Sequence, residues 1–252
     1  MGDIVPVKPW KYCTNRLAVD SDDAVFRAYT KERGFTIENV GFRPTHPERF
    51  ELNDKSPYFN NLWTKPDAFH KWCACLHMFD DVAKKGMKVI DLGSGDGPIC
   101  HILADQGYDV TGVDIKPWNY PYKSLAQIVI KDAITFLEEY EDESVDIFID
   151  GCAVTHFNTN SNPEVPNFGW KGVFENVRRV MKSDGYFIVT SDVQVGYDEY
   201  YGEMISPEQI VQMAENAGLS LTSKFNYSRQ NIMTRHEVGC ELGVANFLFV
   251  KK

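Results

Sequence analysis

The 252-residue chain has no apolar run near the roughly 20 residues that a membrane-crossing helix needs. Its first residues, Met1-Gly2-Asp3-Ile4-Val5-Pro6, lack the apolar core of a secretory signal, and Pro6 stands where N-myristoylation requires Ser or Thr. The expected address is therefore cytoplasmic, with no membrane partner. Basic residues are scarce: 26 Lys+Arg face 36 Asp+Glu, a formal net charge of -10, and no Lys/Arg run is long enough to track a phosphate backbone. That balance excludes nucleic acid as a partner. Cysteine is sparse too. Of the six, only Cys73 and Cys75 lie close together, and no second pair completes a zinc spacing, so they read as free thiols. Repeats and low-complexity tracts are missing. With 43% hydrophobic and 25% charged residues, the composition is that of a globular protein and rules out disorder.

The pattern changes character near Lys85-Gly86. Residues 1–65 carry Pro6, Pro9, Pro44, Pro47 and Pro57 among many aromatics, including Trp10, Phe26, Phe50 and Trp63, and read as a helical and irregular cap or lid. Ser21 and Gly34 bracket one predicted helix over 22–33. The main domain is predicted over 66–252. It opens with a helix signalled by Thr64, Pro66 and Asp67 and by Phe69, Trp72, Leu76, Phe79 and Ala83 at helical spacing. From Met87 onward, short apolar strands at 88–92, 109–113, 127–130, 145–149 and 186–190 alternate with helices at 98–106, 133–140, 173–181 and 207–217. That alternation predicts a parallel sheet covered on both faces. Ser206, Pro207, Gln209 and Gly218 mark the start and end of the last helix. Two further strands, 220–225 and 244–250, follow with no helix between them, so the final pair should be antiparallel.

The sharpest motif is Asp91-Leu92-Gly93-Ser94-Gly95-Asp96-Gly97, which leaves a strand, turns on glycines and enters a helix. Glycines there permit positive φ and bare the backbone amides to a ligand. The next strand ends at Asp114, with Ile115 beside it, near the spacing at which a carboxylate meets a ribose diol. Asp132-Ala133 follows the third strand, where a carboxylate can accept from an adenine amine, or can cap its own helix. The ligand is thus an adenosine compound, and charge selects among them. Asp91 and Asp96 bracket the loop, Pro98 replaces the third glycine of a dinucleotide fingerprint, and no Lys follows for a triphosphate. Phosphates are repelled by such a loop, whereas the sulfonium and ammonium of S-adenosylmethionine are attracted.

These residues resemble the class I S-adenosylmethionine-dependent methyltransferases, in their small-molecule branch. The family's D/E-x-G-x-G-x-G loop is matched at Asp91, Gly93, Gly95 and Gly97, its acidic residue after strand two at Asp114, and its acidic-small pair at Asp132-Ala133. The stretch from Asp146 to Phe157 is similar to the fourth-strand motif of quinone-biosynthesis enzymes, with Asp150 and Gly151 lining the methionine moiety and His156 in place of the motif's His. The resemblance implies a Rossmann-like α/β fold: a seven-stranded, mostly parallel sheet in the order 3-2-1-4-5-7-6, the last strand antiparallel, with helices on both faces. It implies S-adenosyl-L-methionine as cofactor, held by Asp91, Gly93, Ser94, Gly95, Gly97, Asp114, Ile115, Asp132, Ala133, Asp150 and Gly151. Two departures stand out. Thr155 replaces the motif's Glu, and Pro117 and Pro121 forbid the usual helix between strands two and three, where a loop is expected.

The expected function is methyl transfer to a small polar molecule, with His156 deprotonating or orienting an acceptor hydroxyl. Three segments can reach the acceptor: the aromatic cap, the polar loop 158–170, and the stretch 197–204 with its three tyrosines. Aromatic walls with amides and hydroxyls suit a sugar-like or hydroxylated aromatic ring. Asp150, Asn158 and Asp192 are possible Mg²⁺ ligands, but cofactor and turn roles account for them, and no metal is expected. The alternatives are a non-catalytic S-adenosylmethionine-binding module and a nicotinamide-dependent oxidoreductase.

Overall fold

The computed structural model describes residues 35–38, 41–44, 75–76, 78–95, 98–117, 125–157, 169–195, 207–222, 233–235 and 240–252. The expected helix over 22–33, Gly97, the loop 158–168 and the tyrosine stretch 197–204 lie outside them. Strands β1 (Phe35–Glu38) and β2 (Gly41–Pro44) form an antiparallel hairpin inside the segment read as helical and irregular, with Glu38 opposite Gly41. The alternation Phe35-Thr36-Ile37-Glu38 carried that signal in four residues, too few to stand out among prolines.

The main sheet follows in chain order: β3 (Lys88–Leu92), α1 (Pro98–Asp105), β4 (Asp109–Asp114), β5 (Gln127–Ile130), α2 (Ala133–Glu138), β6 (Val145–Gly151), α3 (Gly169–Val180), β7 (Met181–Val195), α4 (Pro207–Asn216), β8 (Leu219–Leu221), β9 (Met233–Arg235) and β10 (Cys240–Lys251). Its strand order is β5-β4-β3-β6-β7-β10-β8, which is the expected 3-2-1-4-5-7-6. The strands from β5 to β7 pair in parallel, and β10 runs antiparallel to both β7 and β8. One strand was not foreseen: β9 pairs with β10, beside the β10–β7 ladder.

Each central strand is buried on both faces, so its residues feed two separate cores in alternation. Ile90, Phe148, Phe187 and Phe249 face one side, against Phe136 and Leu137 of α2, Phe174 and Val177 of α3, and Ile210 of α4. Phe174, Phe187 and Phe249 meet there with ring centroids 5.5 to 6.3 Å apart. Val89, Ile147, Ile149 and Ile188 face the other side, against Ile99 and Leu103 of α1 and against Cys75, Leu76 and Phe79. The last three belong to helical residues within 75–82, the described end of the helix expected before Lys84. Full burial of each such side chain contributes roughly 1.5–3 kcal/mol. The sheet thereby holds its loop-bearing ends rigid.

Some boundaries shift for local reasons. The residues between the expected helix over 173–181 and the expected strand over 186–190 form an irregularity within β7: Val145 pairs with Met181, then Ile147 pairs with Tyr186. Gly185 allows this, because a Cβ there would lie 2.8 Å from the Asp146 carbonyl oxygen. Strand β10 begins at Cys240, four residues earlier than expected, because β7 runs on to Val195 and offers it a longer ladder. Gly218, at φ +84°, ends α4 as predicted.

Candidate functional site

Because β3, β4 and β6 are parallel neighbours, Leu92, Asp114 and Gly151 bring their following loops to one edge of the sheet. Gly93 and Gly95 adopt φ of +66° and +57°, so the loop after β3 turns through the left-handed region that glycine enters freely. At Gly93 the need for glycine is also steric. A Cβ there would stand 2.1 Å from the Cβ of Ala153, so the β3 loop and the β6 loop lie against each other. Ser94 follows, 7% exposed, its amide donating to the Val113 carbonyl at 3.0 Å and its Oγ buried without a partner. Gly112 makes room for it, since a Cβ there would be 2.9 Å from that Oγ.

Asp114 ties the loop from the neighbouring strand. One carboxylate oxygen accepts from the Gly95 amide at 2.9 Å and the other from the Lys116 amide at 3.0 Å. Ile115 next to it is 40% exposed, an apolar surface at the same edge. Asp132 caps α2: Oδ1 accepts from the Ile134 and Thr135 amides at 3.0 and 3.1 Å. Both readings of Asp132 remain compatible here, since its Oδ2 makes no bond to the described residues while Ala133 is buried behind it.

Asp91 and Asp150 are the buried pair. Asp91 is 2% exposed, and burial, with the negative charges of Asp150 and Asp114 added, pushes its carboxyl well above the usual range. Asp150 is fully buried, and burial raises it to about 7 despite the backbone amides that favour its ionised form. Its Oδ1 accepts from the Ala153 and Val154 amides at 2.7 and 3.1 Å, while Oδ2 is buried with no partner. Gly151 passes close under α1, where a Cβ would be 3.0 Å from Ile99 Cδ1. Cys152 then takes φ +84°, a strained value for a residue with a Cβ, and a single 3₁₀ turn over Val154–His156 presents an exposed His156.

The structure thus brings Asp91, Gly93, Ser94, Gly95, Asp114, Asp150 and Gly151 together, sets Asp132 and Ala133 at the end of β5, and places His156 on the β6 loop. Three participants escaped sequence reasoning. Cys75 sits 3.2 Å from Thr190 Oγ1 and 4.0 Å from the Asp150 carbonyl oxygen, with its thiol pushed well up by burial. Asn246, opposite Thr190 on β10, buries an Oδ1 without a partner. Each lies in an apolar repeat with nothing in the sequence to mark it; only strand pairing reveals the row. Among the described residues, no group of three His, Cys, Asp or Glu is placed to hold a metal ion. No helix there is long and apolar enough to cross a membrane.

Comparison with known proteins agrees with this arrangement. Residues 90–189 match the methyltransferase domain family. A ribosomal protein L11 methyltransferase of Dictyoglomus turgidum is 31% identical over 128 residues, 49% of this chain and 39% of that protein, so the match spans about two fifths of the curated relative. A TehB-like S-adenosylmethionine-dependent methyltransferase from Corynebacterium glutamicum superposes with a TM-score of 0.50 at 22% identity, covering 69% of this chain and 85% of that one. The 1,6-didemethyltoxoflavin-N1-methyltransferase of Burkholderia thailandensis, solved with its substrate and S-adenosylhomocysteine, gives 0.54 at 14% identity, covering 86% and 95%.

Proposed function

We propose that this chain, whose residues 90–189 match the methyltransferase domain family, is a class I S-adenosylmethionine-dependent methyltransferase that methylates a small polar molecule, at a hydroxyl of a sugar-like or hydroxylated aromatic acceptor. One observation carries the cofactor side of this reading. The site edge offers glycine-lined amides and the carboxylates of Asp91, Asp114 and Asp150, and among the described residues no cation pairs with any of them. A pyrophosphate would meet like charge there, whereas a sulfonium and an ammonium meet their complement. The orphaned Oδ2 of Asp150 and the open space beside Gly95, where an added Cβ would meet nothing within 4 Å among the described residues, fit such a ligand.

When bound, S-adenosylmethionine supplies a methyl group already activated by the positive sulfur. The protein's own task is alignment and proton management. We assign Asp91, Gly93, Ser94, Gly95, Gly97, Asp150 and Gly151 to the loop and methionine end, and Asp114, Ile115, Asp132 and Ala133 to the adenosine end. Asp114 would receive ribose hydroxyls while keeping Gly95 in place. His156, exposed at the end of the β6 loop, is assigned the acceptor's proton. Residues 1–65 are proposed as a lid over both ligands, excluding water, and the protein as cytoplasmic.

Calorimetric titration with S-adenosylmethionine, NAD and ATP tests the foundation. Binding of the first alone is expected, and tight uptake of NAD or ATP in its place would refute the reading. The similarity to a ribosomal protein L11 methyltransferase favours a second acceptor class, a protein. Incubation with labelled cofactor and size-fractionated cell extract separates the two, since label in the small-molecule fraction is expected and label confined to protein would replace the first reading.

A further inference from the structure

Asp91 and Asp150 stand on neighbouring strands, with Asp91 opposite Ile149 and Leu92 opposite Asp150. Both are almost wholly buried, at 2% and 0% exposure. The groups around them are Asp114 of β4, Cys75 of the preceding helix, Cys152 of the β6 loop and Cys100 of α1, whose backbone amide donates to Asp91. All are neutral or negative. Among the described residues neither carboxylate has an ion-pair partner. Two ionised carboxylates so placed would be costly, because each loses its hydration and Asp91 also feels the charge of Asp150. Oδ1 of Asp150 is committed to two backbone amides, and its Oδ2 is committed to nothing.

We propose that the Asp91–Asp150 pair carries a proton in the empty protein and gives it up when the cationic cofactor enters, so that cofactor capture and proton release are one event. This inference rests on the function proposed above and specifies how the site reads charge. The balance is simple: one proton leaves for solvent, one positive charge arrives with the ligand, and the buried site keeps its net charge. Burial raises both carboxyls, Asp150 to about 7, in agreement with one proton retained near neutrality. The site then selects for charge rather than shape. An adenosine thioether without a positive charge, such as 5′-methylthioadenosine, has nothing to exchange for the proton. Affinity for S-adenosylmethionine should accordingly increase as pH rises, by up to about tenfold per unit in the range below the pair's titration, while affinity for the neutral thioether stays flat.

Calorimetry of the full-length protein at pH 6.5, in phosphate and in bis-Tris, reads the proton directly from the dependence of binding enthalpy on buffer. Release of about half to one proton per S-adenosylmethionine is expected, and none for 5′-methylthioadenosine. Asp150→Asn retains an oxygen for the Ala153 and Val154 amides and should bind with little or no release. Asp91→Asn serves as the second variant. Buffer-independent enthalpy for S-adenosylmethionine with the unmodified protein would overturn the proposal, as would an unchanged proton count in both variants. Failure of S-adenosylmethionine to bind at all would instead bring down the cofactor reading and this inference with it.

Discussion

Replacing Gly93 by Ala probes the contact on which the site is built. Two separate costs apply. At φ +66° an L-residue loses about 1–2 kcal/mol to local crowding. The new Cβ would also sit 2.1 Å from Ala153 Cβ, a distance no pair of carbons sustains, so the β3 and β6 loops must part. Such overpacking costs about 1–3 kcal/mol. Together they predict a loss of roughly 2–5 kcal/mol, or about 4–20 °C in Tm for a domain of this size. Cofactor affinity should fall at least tenfold, because the separated loops carry both Gly95 and Asp150. The companion change Ala153→Gly isolates the second cost: the nearest remaining atom would be Ala153 Cα at 3.6 Å, an ordinary contact. The double variant should therefore recover the clash and keep the φ penalty, giving a favourable coupling of about 1–3 kcal/mol in a thermodynamic cycle. Thermal unfolding and cofactor titration of the four proteins measure it. Additive effects, or a Gly93→Ala protein with unaltered Tm and affinity, would show that the two loops do not touch as described.

Other outcomes follow from single groups. Asp114→Ala removes the acceptor for the Gly95 and Lys116 amides and should weaken S-adenosylmethionine binding about tenfold or more, read by calorimetry. Asp132→Ala uncaps α2 and should lower stability by about 1 kcal/mol, seen as a Tm decrease of a few degrees. His156→Gln, at an exposed position, should leave Tm and cofactor affinity unchanged while turnover falls about 100-fold; full turnover would remove the proton-transfer assignment. Asp150 is raised in the folded state, so the proton it retains stabilises the empty protein at low pH. That contribution is lost as pH climbs from about 4, where the unfolded carboxyl ionises, through about 7. Tm of the ligand-free protein should fall between pH 5 and 7.5 more steeply than that of Asp150→Asn, and equal slopes would contradict the burial argument.

Much of this protein was legible in one dimension because local chemistry decided it. Apolar runs such as Val89-Ile90 and Ile147-Phe148-Ile149 can only be strands buried on both faces, and the helices between them force parallel pairing. The turn after β3 was visible because only glycine serves at both positive-φ positions, and its acidity already spoke against phosphate. The end of α4 was visible in Gly218. The strand order was available only through the resemblance of the loop motifs to a family, since periodicity says nothing about which strands are neighbours.

Tertiary structure decided the rest, because it depends on which residues meet across long separations. The close approach of Gly93 to Ala153, which leaves no room for a Cβ at Gly93, joins residues sixty positions apart and exists only because β3 pairs with β6. The irregularity of β7 at Gly185 exists because the Asp146 carbonyl lies against it from the neighbouring strand. Cys75 and Asn246 look like ordinary core positions until the β7 ladder sets Thr190 beside them. Most of all, a carboxylate's charge state is set by what surrounds it. The letters of Asp91, Asp114, Asp132 and Asp150 are the same, yet burial, helped at Asp91 by neighbouring charge, makes Asp91 and Asp150 resist ionisation, while position lets Asp114 hold a loop and Asp132 cap a helix.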